Sequence, residues 1–228
     1  MPARRSTFWW ATPGLHPSVT APGFGLAAYA AGLAQLKLFP GSILLPIVVA
    51  VAVVAVIALM FGYVILRRRG VYFSLLTLAL AAMLYTIAFR WTDVTGGENG
   101  LGGITRPTFA GFSLDSSLAF YVLVATVGFA VAYLLWRFHR SPVGHVLVAI
   151  RENETRARFI GYQANQYKLL AFVVSATGTG LAGTLLLFNN RMTSADPISV
   201  AFSGELLAMV IIGGMRSFLG PALGALFL

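Results

Sequence analysis

The chain has no cysteine, which excludes a disulfide framework, a thiol nucleophile and a thiolate metal site. Charge is scarce: only 10% of the 228 residues are Asp, Glu, Lys or Arg, where soluble domains carry about 25%. Acid is scarcer still, with 7 carboxylates against 16 basic residues. All the acids lie outside the long apolar runs. The three histidines, His16, His139 and His145, have no metal-ligand spacing. Neither a catalytic residue set nor a metal centre is therefore indicated, and no cofactor is called for. The only lysines are Lys37 and Lys168, and neither follows a glycine, so the chain has no phosphate loop of its own. The N-terminus lacks a signal-peptide core, because the stretch after Arg4 and Arg5 is broken by Pro13, His16 and Pro17.

What is abundant is apolar length: 58% of the residues are hydrophobic. Residues 43–66, 71–89, 117–136 and 169–188 are free of charge and approach or exceed the ~20 residues that cross about 30 Å of hydrocarbon. They contain Gly and Pro without strict polar–apolar alternation, so helices fit better than a β-barrel. A shorter run at 23–39 stops at Pro40-Gly41, 206–212 is too short to cross, and 218–228 ends while still apolar. The expected fold is an all-α polytopic membrane bundle with short or re-entrant helices. Residues 1–22 are expected to be irregular and 23–228 to form one membrane domain, incomplete at its C-terminus, as in a fragment of a longer protein.

The net charge of +9 follows membrane topology rather than nucleic-acid affinity. Basic residues gather at Arg67–Arg69 and at Arg137, Arg140, Arg151, Arg156, Arg158 and Lys168. Two spans separate these groups, so both face one side, and the positive-inside rule makes it the cytoplasm. The loops 90–116 and 189–204 then face outward.

Between two uncharged spans lies a polar island, residues 139–168. Ser141-Pro142 reads as a helix start and Gly161 as a left-handed stop. At 100° per residue Val143, Leu147, Ile150, Glu154, Ala157 and Gly161 share one face. The pairs Glu152–Arg156 and Glu154–Arg158 have the favourable i,i+4 order. Such a helix can rest on a lipid surface or dock into a protein. Glu154 interrupts a lipid-facing stripe and Gly161 leaves room for close approach, which favours a cytosolic protein partner.

Three further features have structural readings. Gly178, Gly180 and Gly183 fit G-x-G-x-x-G, but no full helix follows them; Ser175, Thr179 and Gly183 read better as a small-residue packing ridge. Gly96, Gly97, Asn99 and Gly100 form a turn-rich outer loop in which Glu98 would repel phosphate. Glu205 opens the short run 206–212, either as a helix-start carboxylate or as a functional acid at membrane depth.

The spacing Glu154, Ala157, Gly161 resembles the E-x-x-A-x-x-x-G loop of ABC importer permeases. The wider run SPVGHVLVAIRENETRARFIGY, with RRRGVYFSLLTLALA at 67–81, TGGENGLGGI at 95–104 and SGELLAMVIIGGMRSFLGPALGA at 203–225, is similar to the branched-chain amino acid permeases of the LivM branch. GFGLAAYAAGL at 23–33 fits a more N-terminal segment of that family. Members begin with further helices and a GQ-x-S-x-G-H-type motif, which residues 1–22 do not match, and continue past the GP-x-x-GA block. The resemblance implies a transport subunit of the bacterial inner membrane, without an ATPase motif. Its partners would be cytosolic ABC ATPase subunits, a second permease subunit, a periplasmic substrate-binding protein and the lipid bilayer, with no nucleic acid. Arg151, Glu154, Ala157, Arg158 and Gly161 would form the ATPase-coupling loop, and the outer glycine loop would lie on the side that receives substrate. Ser74, Thr77 and Tyr85 fall in a family block and are the expected pathway hydroxyls. Permeases for urea, short amides or another small solute share this pattern. A membrane enzyme would need acids or histidines clustered at one membrane face, and here they are scattered.

Overall fold

The computed structural model describes residues 17–67, 71–104, 116–214 and 220–227. These residues are helical almost throughout; the one isolated β-bridge among them joins Leu101 to Thr193. Three helices are long and apolar enough to cross a membrane: α2 (Leu44–Ile65), α5 (Ser117–His139) and α8 (Ala164–Asn190). α3 (Val71–Arg90) and the short α4 (Thr92–Thr95) that follows are bent by 77°, as in a broken span or a re-entrant loop.

α1 (Pro17–Lys37) lies at the centre, packed against α2, α8 and α9 (Val200–Gly213). It begins before the apolar run predicted from residue 23, so Pro17–Pro22 are helical rather than irregular; residues 1–16 lie outside the described residues. Ala27, Ala28, Ala31 and Ala34 are buried on it and small, which lets neighbouring backbones approach; the larger Tyr29 and Gln35 are buried too. A Cβ on Gly25 would lie 2.4 Å from Ile198 Cγ1, so only glycine fits that crossing.

α2 buries one row: Pro46, Ala50, Val54, Ala58, Gly62 and Ile65. Steps of three and four keep this row on a single helical stripe. Val48, Val56, Met60 and Tyr63 point away and are exposed. This suits a span whose far side meets lipid.

α8 carries a small-residue face, displaced from the one predicted. Ala176, Gly180, Gly183 and Thr184 are buried, whereas Ser175 and Thr179 are half-buried. Position 183 belongs to both sets, but the tight row steps back to 180 and 176, because α1 and α2 together cover that side. A Cβ on Gly180 would meet Ala27 Cβ at 3.2 Å and Val54 Cγ1 at 3.4 Å. The three glycines of the G-x-G-x-x-G pattern thus sit inside one continuous helix, with no strand-to-helix turn to cradle a nucleotide.

α9 and α10 (Gly220–Phe227) pack closely on each other. Positions 213 and 224 accept no side chain: a Cβ on Gly213 would lie 1.8 Å from the Gly220 carbonyl, and one on Gly224 1.9 Å from that of Met209. At 1.5 Å per residue, the 14 residues of α9 reach about 21 Å, short of the ~30 Å core. This matches the expected short elements. Glu205 is exposed on α9, and the helix cap is Ser199, whose Oγ accepts from the Phe202 N–H at 3.2 Å.

Candidate functional site

One end of the molecule gathers most of the described basic residues. Gly62 of α2 meets Leu169 and Phe172 of α8, and α5 leads directly into the island, so the C-terminal ends of α2 and α5 and the N-terminal end of α8 lie together. Arg67 donates to the Tyr63 hydroxyl and covers its ring, with the guanidinium carbon 4.2 Å from the centroid. Arg140 covers Trp136 at 4.1 Å. Cationic groups stacked on Tyr and Trp at span ends suit a membrane–water interface. Arg68 and Arg69 lie outside the described residues.

The island is two helices rather than the single one predicted: α6 (Pro142–Glu152) and α7 (Glu154–Phe159). The start is as expected, with Ser141 Oγ accepting from the Gly144 N–H at 3.4 Å and Pro142 in the first turn. Gly144 is required there, because a Cβ would lie 2.0 Å from the His139 carbonyl. The break falls at Asn153, whose backbone is extended (φ −157°, ψ 96°). Its side chain caps α7, accepting from the Arg156 N–H at 2.9 Å. Asparagine prefers caps to helix interiors because its amide competes for backbone groups, and this signal went unread in the sequence. The break separates Glu152 from Arg156, and that predicted ion pair does not form.

The predicted stop at Gly161 is present. Its φ is +100°, its N–H donates to the Arg158 carbonyl at 3.0 Å, and the Tyr162 N–H donates to the Ala157 carbonyl at 3.1 Å. This is the paired closure of a Schellman motif.

The apolar stripe faces the chain itself. Leu147, Ile150 and Ala157 are buried, and Ile150 and Ala157 pack with Ala164 of α8. Glu154 is also turned to its own chain: Oε1 accepts from Arg158 at 2.7 Å and Oε2 from Lys168 of α8 at 2.9 Å. Arg158 further donates to Asn165 Oδ1 at 3.1 Å. The Glu154–Arg158 pair is the one predicted; the reach to Lys168 is not legible from helical spacing.

What points outward is different. Phe159 is 87% exposed and Ile160 71%. Beside them the Cβ direction of Gly161 is open, with no atom within 4 Å. A cleft of about 380 Å³ adjoins, lined by Val143, Gly161, Tyr162, Gln163, Gln166 and Leu170. Phe159 and Ile160 lie off the stripe, so helical periodicity does not single them out. Two large apolar residues immediately before a glycine stop, in a charged segment, were the available signal.

At the opposite end the glycine loop after α4 is held by its own backbone. Gly96, Gly97 and Gly100 have φ of +76°, +59° and +70°, a region glycine enters without strain. A Cβ on Gly100 would lie 2.3 Å from the Thr193 carbonyl. Leu101 and Thr193 exchange hydrogen bonds of 2.8 and 3.0 Å, tying the loop after α4 to the loop after α8. Thr95 Oγ1 lies 2.6 Å from the Ala88 carbonyl and 2.7 Å from that of Trp91, its one hydroxyl proton serving either. Asn99 and Glu98 are exposed. The glycines serve close packing here and leave no phosphate cradle.

The three hydroxyls expected on the pathway are all on α3, and Thr77 and Tyr85 differ in setting. Thr77 is buried on a face with Ala81 and Ala88. Tyr85 stacks on Phe89, with centroids 5.8 Å apart. Ser74 is on the same helix, and its side chain lies outside the described residues. Among the described residues no group of three or more His, Cys, Asp or Glu could hold a metal ion.

The family described as branched-chain amino acid transport system, permease component, matches residues 21–228. The high-affinity branched-chain amino acid transport system permease protein LivM of Escherichia coli K12 is 31% identical over 192 residues, 74% of this chain and 45% of the relative. The ribose import permease protein RbsC of Haemophilus influenzae is 27% identical over 200 residues, 82% of this chain and 60% of the relative. The autoinducer 2 import system permease protein LsrC of Enterobacter sp. 638 is 26% identical over 214 residues, 90% of this chain and 59% of the relative. The chain thus spans less than half the length of the LivM relative. No solved structure matches. With its membrane-length helices and a match that covers nearly all of its residues, the chain belongs to the family of permease components of branched-chain amino acid transport systems.

Proposed function

We propose that this chain is the membrane-spanning permease subunit of an ATP-driven importer of branched-chain amino acids, seated in the bacterial inner membrane with the island in the cytoplasm. It performs no covalent chemistry. An ATPase subunit docks on the island, a second permease subunit completes the pathway, and a periplasmic binding protein delivers substrate at the end closed by the Leu101–Thr193 bridge. Alternating access then comes from a helix bundle with two arrangements. Thr77 and Tyr85, with Ser74, are the proposed pathway hydroxyls.

The observation that carries this reading is the exposed pair Phe159 and Ile160 beside the open Gly161. They project from a segment whose apolar stripe is already spent on its own bundle, and Arg156 and Arg158, close by in the chain, are exposed as well. An apolar knob within a polar rim suits a protein partner. A second reading, import of another small solute, is favoured by the relatives named for ribose and autoinducer 2. Binding of leucine against ribose to the cognate binding protein separates the two.

The coupling role is tested in the assembled importer with Phe159→Asp and Ile160→Asp, each of which places a charge on the knob. Both chains should insert normally yet lose most ATP-linked uptake. Wild-type uptake from both would sink the assignment.

A further inference from the structure

The island's surface knob leaves open how motion at the membrane surface reaches the bundle. α7 is a short element with a backbone break at each end: extended Asn153 before it and Gly161, at φ +100°, after it. Ala157 is the residue it buries. Such an element can tilt as a unit, and packing alone gives it little grip on its neighbours.

The grip is ionic. Lys168 sits in the second turn of α8, and its Nζ lies 2.9 Å from Glu154 Oε2. The lysine side chain is only 14% exposed, which is unusual for lysine unless it is paired. Arg158 holds the other carboxylate oxygen and reaches Asn165 of α8. One carboxylate at the start of α7 is therefore bound by a cation from its own helix and a cation from α8. From Lys168 the α8 helix runs into the bundle, where Phe172, Ala176, Gly180 and Gly183 are buried. Force applied to Lys168 thus acts on the end of a helix firmly embedded farther along.

We propose that Lys168 is a positioning residue that ties α7 to α8 through Glu154, so that displacement of α7 by a docked partner is passed to α8. The proposal rests on the importer reading given above. Glu154 then serves within the chain as a strut, and the partner contact falls to Phe159 and Ile160. Coupling of this kind needs an element that both ends can bias, and α7, set off from α6 and α8 by a break on each side, is the element the proposal assigns.

The test uses the assembled importer in vesicles, with uptake and ATP hydrolysis measured together. Lys168→Met keeps the stem and removes the charge. It should leave insertion and assembly intact while lowering uptake per ATP hydrolysed about fivefold. Lys168→Arg should retain the wild-type ratio. Lys168→Glu should be worse than Lys168→Met, and adding Glu154→Lys should recover much of that loss, incompletely because Arg158 remains beside position 154. An unchanged ratio in Lys168→Met, or an exchanged pair no better than Lys168→Glu alone, would overturn the proposal. So would loss of insertion in Lys168→Met, which would make the pair a folding element. If the unaltered importer shows no ATP-linked uptake, the underlying function fails, and that result is distinct from either.

Discussion

α5 and α8 are both uninterrupted membrane-length helices, yet the chain treats them in opposite ways. Of the most apolar stretch of α5, 6% is buried; of α8, 39%. α5 is the more apolar of the two, so burial does not follow hydrophobicity. Its side chains are large: Leu118, Tyr121, Val122, Phe129, Tyr133 and Leu134 all project outward. α8 presents Ala176, Gly180, Gly183 and Thr184 to α1 and α2. Lipid tails are as apolar as leucine, so hydrophobicity cannot pull one span onto another. Close van der Waals contact can, and it requires small residues. Composition puts a helix in the membrane, and the distribution of glycine and alanine decides what it packs against.

The comparison can be broken by substituting glycines on the two helices. Gly183→Leu should have the largest effect. A Cβ there would lie 2.0 Å from the Phe24 carbonyl, and backbone cannot step aside. We expect a loss of about 3 kcal/mol or more, measured as thermal unfolding in detergent; a stable variant would mean that α1 is free to move off α8. Gly62→Val is intermediate. Its Cβ would meet Leu169 Cδ1 at 2.6 Å and Phe172 Cδ1 at 2.9 Å, both ends of side chains that can rotate, so about 1–2 kcal/mol is expected. A cost equal to that of Gly183→Leu would show that α2 and α8 are locked as tightly as α1 and α8. The smallest effect belongs to Gly128→Leu on α5, where a Cβ would have nothing within 4 Å. The isolated chain should change by no more than about 0.5 kcal/mol. A larger loss in the isolated chain would show that α5 is covered by its own protein rather than by lipid or a partner subunit.

Much of the site was readable in advance because it depends on local chemistry. Ser141-Pro142 starts α6, Gly161 stops α7 and Glu154 meets Arg158; each involves groups within a few residues of one another. Asn153 was readable too, as a cap, but an unbroken helical period ran across it and concealed the break. The small-residue row on α8 was placed one position off at Ser175 and Thr179, because periodicity shows that a face exists without showing which neighbours cover it. Lys168 could not be found by spacing. Its partner is 14 residues away, and the two meet only because α7 folds back toward α8 after Gly161.

The sequence by itself determined that this chain is helical and membrane-bound, which end is basic, and where the island begins and ends. Uncharged length, cap residues and the placement of arginine are local quantities, and no fold is needed to read them. Only the tertiary structure decided that α1 is central, that α5 is left uncovered, and that Glu154 is spent inside the chain while Phe159 and Ile160 face outward. The physical reason is that lipid makes most apolar faces equivalent, so the choice among them is made by backbone approach at glycine and alanine. That approach exists only once the helices have been brought together.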